Sequence, residues 1–169
     1  EALLGQAMVE MNELDEAERL LDDSRALGLE GGVADFSIAT YVSSSRLLAQ
    51  RGDLAGAHAV LDEGEQTAAH LDFARLAAAV LCERVRLWVA AGDVDTASRL
   101  FESCAAAAVA GREAGPETIE LLQLAQVRLF RAQGRVDDAL SLLRPMLEAA
   151  TAQRRRTFEV RVRIQLALA

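Results

Sequence analysis

Lysine is absent from this chain of 169 residues, so its 18 basic side chains are all arginine, set against 26 carboxylates for a net charge of −8. Such a balance argues against a domain whose main task is gripping nucleic acid, because that affinity is dominated by cations neutralising phosphates. Aromatic residues make up only 4%. With so few of them and so much alanine, helix-on-helix packing is favoured over a sheet sandwich, and a nearly all-helical chain is expected. No stretch approaches the roughly 18 uninterrupted apolar residues a membrane span needs, and no signal peptide is present. A soluble, cytoplasmic protein without membrane contact is the expectation. There are two cysteines, Cys82 and Cys104, with no metal-ligand spacing. They read as small buried hydrophobes in a reducing compartment, not as a disulfide framework or a metal site.

Catalytic patterns are missing as well. No serine sits in a nucleophile elbow, and no Cys–His pairing or carboxylate dyad can be argued, so neither an enzyme nor a cofactor is expected. His58 and His70 lack any accompanying ligand arrangement and read as surface residues. The chain has no initiator methionine and ends inside an apolar-periodic segment, which predicts a piece of a longer protein.

What the chain does have is a repeat. AGDVDTASRLF (Ala91 to Phe101) recurs as MNELDEAERLL (Met11 to Leu21), RGDLAGAHAVL (Arg51 to Leu61) and, slightly out of step, AQGRVDDALSLL (Ala132 to Leu143). The central alanines are Ala17, Ala57, Ala97 and Ala139, spaced 40, 40 and 42 residues apart. A near-fixed period of this size means a stack of like units, none able to bury its apolar face alone. The 51% hydrophobic content is ample for the core. Asn12, Gly52, Gly92 and Gly134 stand where one helix must stop, since a residue just past a helix end adopts a left-handed conformation that glycine, and next asparagine, tolerates best. Asp53 and Asp93 are placed to cap the helix that follows. Behind each alanine come Leu20 and Leu21, Val60 and Leu61, Leu100 and Phe101, or Leu142 and Leu143, which fill the groove between paired helices. From the preceding helix, Met8, Leu48, Trp88 and Phe130, and beside them Ala7, Leu47, Leu87 and Leu129, face that partner.

Helix starts are expected near Asp35, near Asp72 and at Pro116, and a final helix from about Arg156 carries Val160, Ile164 and Leu168 on one face. Pro145, inside the fourth second-helix, should bend or interrupt it. The resulting domain is one array, 1–169: a truncated first unit over 1–32, then units 33–71, 72–114 and 115–153, and the start of a fifth over 154–169.

The signature Trp88, Gly92, Ala97 and Phe101, preceded by Leu48, Gly52, Ala57 and Leu61, resembles the tetratricopeptide repeat (TPR). The likeness implies a right-handed α-α superhelix of antiparallel hairpins. The period exceeds the usual 34 residues by roughly two helical turns, and the proline that commonly closes the second helix is lacking. The longer period and the run VRLFRAQGRVDDALSLLRPMLEAA resemble the TPR-like region of large ATP-dependent LuxR-type transcription regulators, the MalT-like group. That resemblance implies a sensor and protein-interaction module that receives an effector, a peptide or a neighbouring domain of its own chain. No GxxxxGK[ST] loop and no recognition-helix unit occur, so ATP and DNA binding are not assigned to these residues.

Arg46, Arg86 and Arg128 occupy one place in the three complete first helices. In the TPR frame that place points into the concave groove, with Gln50 and Arg131 nearby among Ala39, Val42, Ala49, Ala79, Cys82, Val89, Leu121 and Leu124. An arginine row of this kind can grip carboxylate or phosphate groups bidentately. The same residues equally suit internal salt bridges to the many carboxylates, or solvated charge. Charge is also uneven along the chain: residues 1–133 hold 11 arginines and 22 carboxylates, net −11, and those from Gly134 onward seven and four, net +3. Arg154, Arg155 and Arg156 read either as a solvated turn or as a face for an acidic neighbour or DNA. Self-association through apolar ends, Leu3 and Leu4 at one and Val160 and Ile164 at the other, is the alternative role, that of an assembly scaffold.

Overall fold

A computed structural model describes residues 1–26, 34–109 and 115–169. Among these residues, six positions adopt a positive φ: Asn12 at 63°, Gly52 at 85°, Asp72 at 52°, Gly92 at 82°, Gly134 at 74° and Arg154 at 55°. Each closes a helix by the same pair of backbone hydrogen bonds. At the second turn Gly52 N–H donates to Ala49 O (3.1 Å) and Asp53 N–H to Leu48 O (2.9 Å). The pattern recurs at Gly92 and Asp93 with Val89 and Trp88, and at Arg154 and Arg155 with Thr151 and Ala150. This is the Schellman closure, which satisfies carbonyls that a helix end would otherwise leave unpaired. The four stops legible from the repeat all take this form. Asp72 and Arg154, at the turns from one hairpin to the next, do so without the residue type that announces it.

The helices that result are α1 (Ala2–Glu10), α2 (Leu14–Ala26), α3 (Ala34–Gln50), α4 (Leu54–His70), α5 (Ala74–Ala90), α6 (Val94–Val109), α7 (Pro116–Ala132), α8 (Val136–Ala152) and α9 (Arg156–Ala167). No strand occurs among the described residues. The fold is an all-α, TPR-like helical repeat. Asp53 Oδ1 accepts from Gly56 N–H (2.8 Å) and Asp93 Oδ1 from Thr96 N–H (2.9 Å), capping α4 and α6 as expected. Of the two expected effects of Pro145, interruption does not occur: α8 runs unbroken through it. Proline withdraws one donor from the carbonyl of Ser141, but both residues are exposed, so solvent can hydrate that carbonyl and the break is cheap.

Two compact units divide the chain, residues 1–80 and 81–169. In the first, α1 packs on α2 and α3, α2 on α3, and α3 on α4. Val9, Ala17, Leu21 and Leu47 form a core there, flanked by Met8, Leu14 and Leu48. In the second, α6 packs on α7, α7 on α8 and α9, and α8 on α9. A first helix therefore meets both its own partner and the next first helix, which is how one hairpin hands its apolar face to another.

All four signature alanines have no exposed surface, and the leucines four residues later, Leu21, Leu61 and Leu143, are buried. Phe101 is only half-buried. Among first-helix residues, Leu47, Leu87 and Leu129 are buried, whereas Met8, Leu48, Trp88 and Phe130 are half-buried. The leucine column is thus the seam, and the large signature residues sit at its margin. The aromatic at one of them has a polar neighbour: the Arg135 guanidinium lies 4.3 Å from the Phe130 ring centre.

Three stability measurements follow from these turns and caps. Arg154→Gly should raise stability by about 1 kcal/mol in chemical denaturation, because glycine removes the β-carbon conflict at positive φ. Gly92→Ala should lower it by about the same amount and Gly92→Asn by less, since asparagine already holds this conformation at position 12. The backbone N–H and then the side chain of Thr96 hold the Asp93 carboxyl below its ordinary 3.8. Its stabilisation is present above the unfolded value and is lost as pH falls through the depressed folded value. Wild type should therefore lose ground to Asp93→Asn, a cap that does not titrate, as denaturation is repeated at pH 5, 4 and 3.

Candidate functional site

Arg46 lies on α3 in the first unit, half-buried and engaged by neighbouring groups. Gln50, the last residue of the same helix, is exposed. The remaining candidates belong to the second unit, Arg86 on α5 and Arg128 and Arg131 on α7.

Those three are tied down from within. Arg86 donates from Nε to Glu83 Oε1 at 2.7 Å, and its Nη2 lies 2.6 Å from the same oxygen. The Glu83 side chain is 3% exposed, and that of Arg86 32%. Arg128 donates from Nη1 to Cys82 Sγ, 2.8 Å away on α5. Arg131 donates from Nη1 to Gln165 Oε1 (2.9 Å) and from Nε to Leu168 O (3.1 Å), holding the end of α9. Cys82 and Glu83 are adjacent in sequence, so α5 presents one short segment that anchors two guanidiniums. One carboxylate against two guanidiniums leaves a net positive charge, and the anchors restrict both arginines to few rotamers, which lowers the entropy lost on gripping an anion.

The second-unit strip is therefore richer than the arginine row alone. Cys82 is buried, but it accepts a hydrogen bond instead of merely filling space. Glu83 lies three residues before Arg86 on one helix, a spacing readable in the sequence. Gln165 reaches Arg131 across 34 residues, and nothing local announces that contact. Cys104 is half-buried, not buried as expected, and His58 is half-buried, not a surface residue. Of the basic triplet, Arg154 and Arg156 are exposed. Arg155 instead holds Glu120 of α7 with both terminal nitrogens, Nη2 at 2.6 Å from Oε2, and lies 5.2 Å from the Phe158 ring centre. The Glu120 carboxylate raises the Arg155 guanidinium above its ordinary value. Among the described residues no group of His, Cys, Asp and Glu is arranged to hold a metal, and no helix is long and apolar enough to cross a membrane.

Residues 2–169 match the family described as the MalT-like TPR region. Over 89 residues, 53% of the chain, the sequence is 43% identical to the serine/threonine-protein kinase PknK of Mycobacterium tuberculosis (strain ATCC 25618 / H37Rv) and to that of Mycobacterium bovis (strain ATCC BAA-935 / AF2122/97). That match spans 8% of each kinase's length. No solved structure gives a significant match.

Removing one partner from the buried pair tests its role. Arg86→Ala should cost roughly 1–3 kcal/mol of unfolding free energy, because the buried Glu83 carboxylate loses its ion pair with Arg86, and Glu83→Gln in the same chain should restore part of it. A double-mutant cycle read by urea denaturation measures the coupling.

Proposed function

Because this chain belongs to the family of MalT-like TPR regions, we propose that it is a non-catalytic regulatory module of a LuxR-type transcription regulator, receiving an effector, a peptide or a neighbouring domain on the face of its first helices. The observation that carries this reading is the second-unit strip, where Arg86 and Arg128 are held by Glu83 and Cys82 with one positive charge in excess. Arg131 extends the strip along α7, and Arg46 and Gln50 supply the corresponding polar positions on α3. The occupant's chemistry is then anionic, a carboxylate-bearing segment or effector.

The identity to PknK favours a second setting for the same role, a kinase-containing chain in which the repeat gathers signals or partners for the catalytic domain. In either setting the repeat binds and does not catalyse. The structural alternative, self-association, draws on the exposed Leu3 and Leu4 of α1 and Val160 and Ile164 of α9. It predicts a mass that rises with concentration in light scattering.

The binding reading is tested by titrating the repeat region with the remaining domains of its own chain in a calorimeter. Alanine at Arg46, Arg86 and Arg128 together should weaken the complex about tenfold or more, some 1.4 kcal/mol, while circular dichroism confirms retained helix. Unchanged affinity would remove the arginine strip from the interface.

A further inference from the structure

The half-buried arginines differ in what holds them. Arg25 pairs with Glu63, Arg86 with Glu83 and Arg155 with Glu120, while Arg46, Arg75 and Arg84 are engaged by neighbouring groups. Among the described residues, Arg128 and Arg131 are the half-buried arginines that rest on neutral acceptors, with no carboxylate partner. The thiol of Cys82, the amide of Gln165 and the carbonyl of Leu168 satisfy N–H groups without cancelling charge. Leu168 caps α9, so it adds only the partial negative charge of a helix end. Drawing a guanidinium partly out of water with no counter-ion is costly, and an occupant that brings negative charge removes that cost.

The pair also has a defined spread. Arg128 and Arg131 stand three residues apart on α7, so their stems share one helix face with about 5–6 Å between β-carbons. The anchors draw the heads apart from there, Arg128 towards α5 and Arg131 towards α9, the first helices before and after α7 in the repeat. Donors remain on both: Arg128 bonds through Nη1, which leaves Nε and Nη2, and Arg131 bonds through Nε and Nη1, which leaves Nη2. Two donor sets drawn to opposite flanks of a helix suit two separate anionic groups better than one compact phosphate. In an extended peptide, alternate side chains project to the same side about 7 Å apart, a spacing of that order.

On the reading of the first-helix face as a binding surface, we infer that Arg128 and Arg131 form a two-point site for an extended acidic segment with carboxylates on alternate residues. Each carboxylate meets one guanidinium, and the segment lies across α7 from the α5 side to the α9 side. Arg86, its charge already met by Glu83, adds little to this grip.

Calorimetric titration of the chain with three probes tests this. They are a Gly/Ser peptide carrying two glutamates on alternate residues, the same peptide with one of them replaced by glutamine, and inorganic phosphate. Wild type should bind the two-glutamate peptide about tenfold tighter than the one-glutamate peptide. Arg128→Gln and Arg131→Gln should each abolish that preference, and Arg86→Gln should leave it. Gln165→Ala separates charge from fold: it loosens the hold on α9 but keeps the Arg131 guanidinium, so the preference should persist. Equal affinity of wild type for the two peptides would overturn the two-point site while leaving the binding surface itself standing. So would a preference that survives both arginine variants, or phosphate that displaces the two-glutamate peptide at equal concentration. If neither peptide binds, the proposal and the wider reading of this face fail together.

Discussion

A helix that ends must satisfy its last carbonyls, and among the described residues one solution is used six times: a residue of positive φ, followed by a donor that reaches five residues back. Because the next helix starts within two residues, the reversal leaves no slack, and two helices are forced side by side at close range. That closeness is why the signature residue in the second helix is alanine with no exposed surface at Ala17, Ala57, Ala97 and Ala139. A larger residue there would separate the pair. Seam leucines, half-buried signature aromatics and the polar row on the first helices all take their orientation from this one constraint.

The polar groups show how a repeat can differ from copy to copy without losing its scaffold. In the second unit the first helices carry guanidiniums anchored by Glu83, Cys82 and Gln165. In the first unit the corresponding helix carries hydroxyls in core columns, and its ion pairs lie on the outside. One backbone plan thus hosts anchored guanidiniums in one unit and buried hydroxyls in the other.

Much of the architecture was legible in advance because it rests on local chemistry repeated at a fixed interval. Gly52, Gly92, Gly134 and Asn12 announce left-handed stops by residue type, Asp53 and Asp93 announce caps, and Pro116 announces a first turn. Asp72 and Arg154 adopt the same conformation without an enabling residue. Aspartate tolerates that conformation better than arginine does, but neither marks a helix stop as glycine does. Pro145 leaves α8 unbroken, since exposure on the outer side of the helix makes one missing hydrogen bond tolerable. Of the site, the arginine positions and the Glu83 spacing were readable, while the partners Cys82 for Arg128 and Gln165 for Arg131 were not.

The division follows from range. By itself the sequence determined what a period and a residue's own conformational preference can encode: an all-helical repeat, its turns, its caps and its alanine seam. Only the tertiary structure decided which charged and hydroxyl groups meet across 16 to 46 residues of chain, as in Ser24 with Thr40 and Arg128 with Cys82. Those pairings depend on how neighbouring hairpins dock, and docking is a sum of many small contacts with no local signature in the chain.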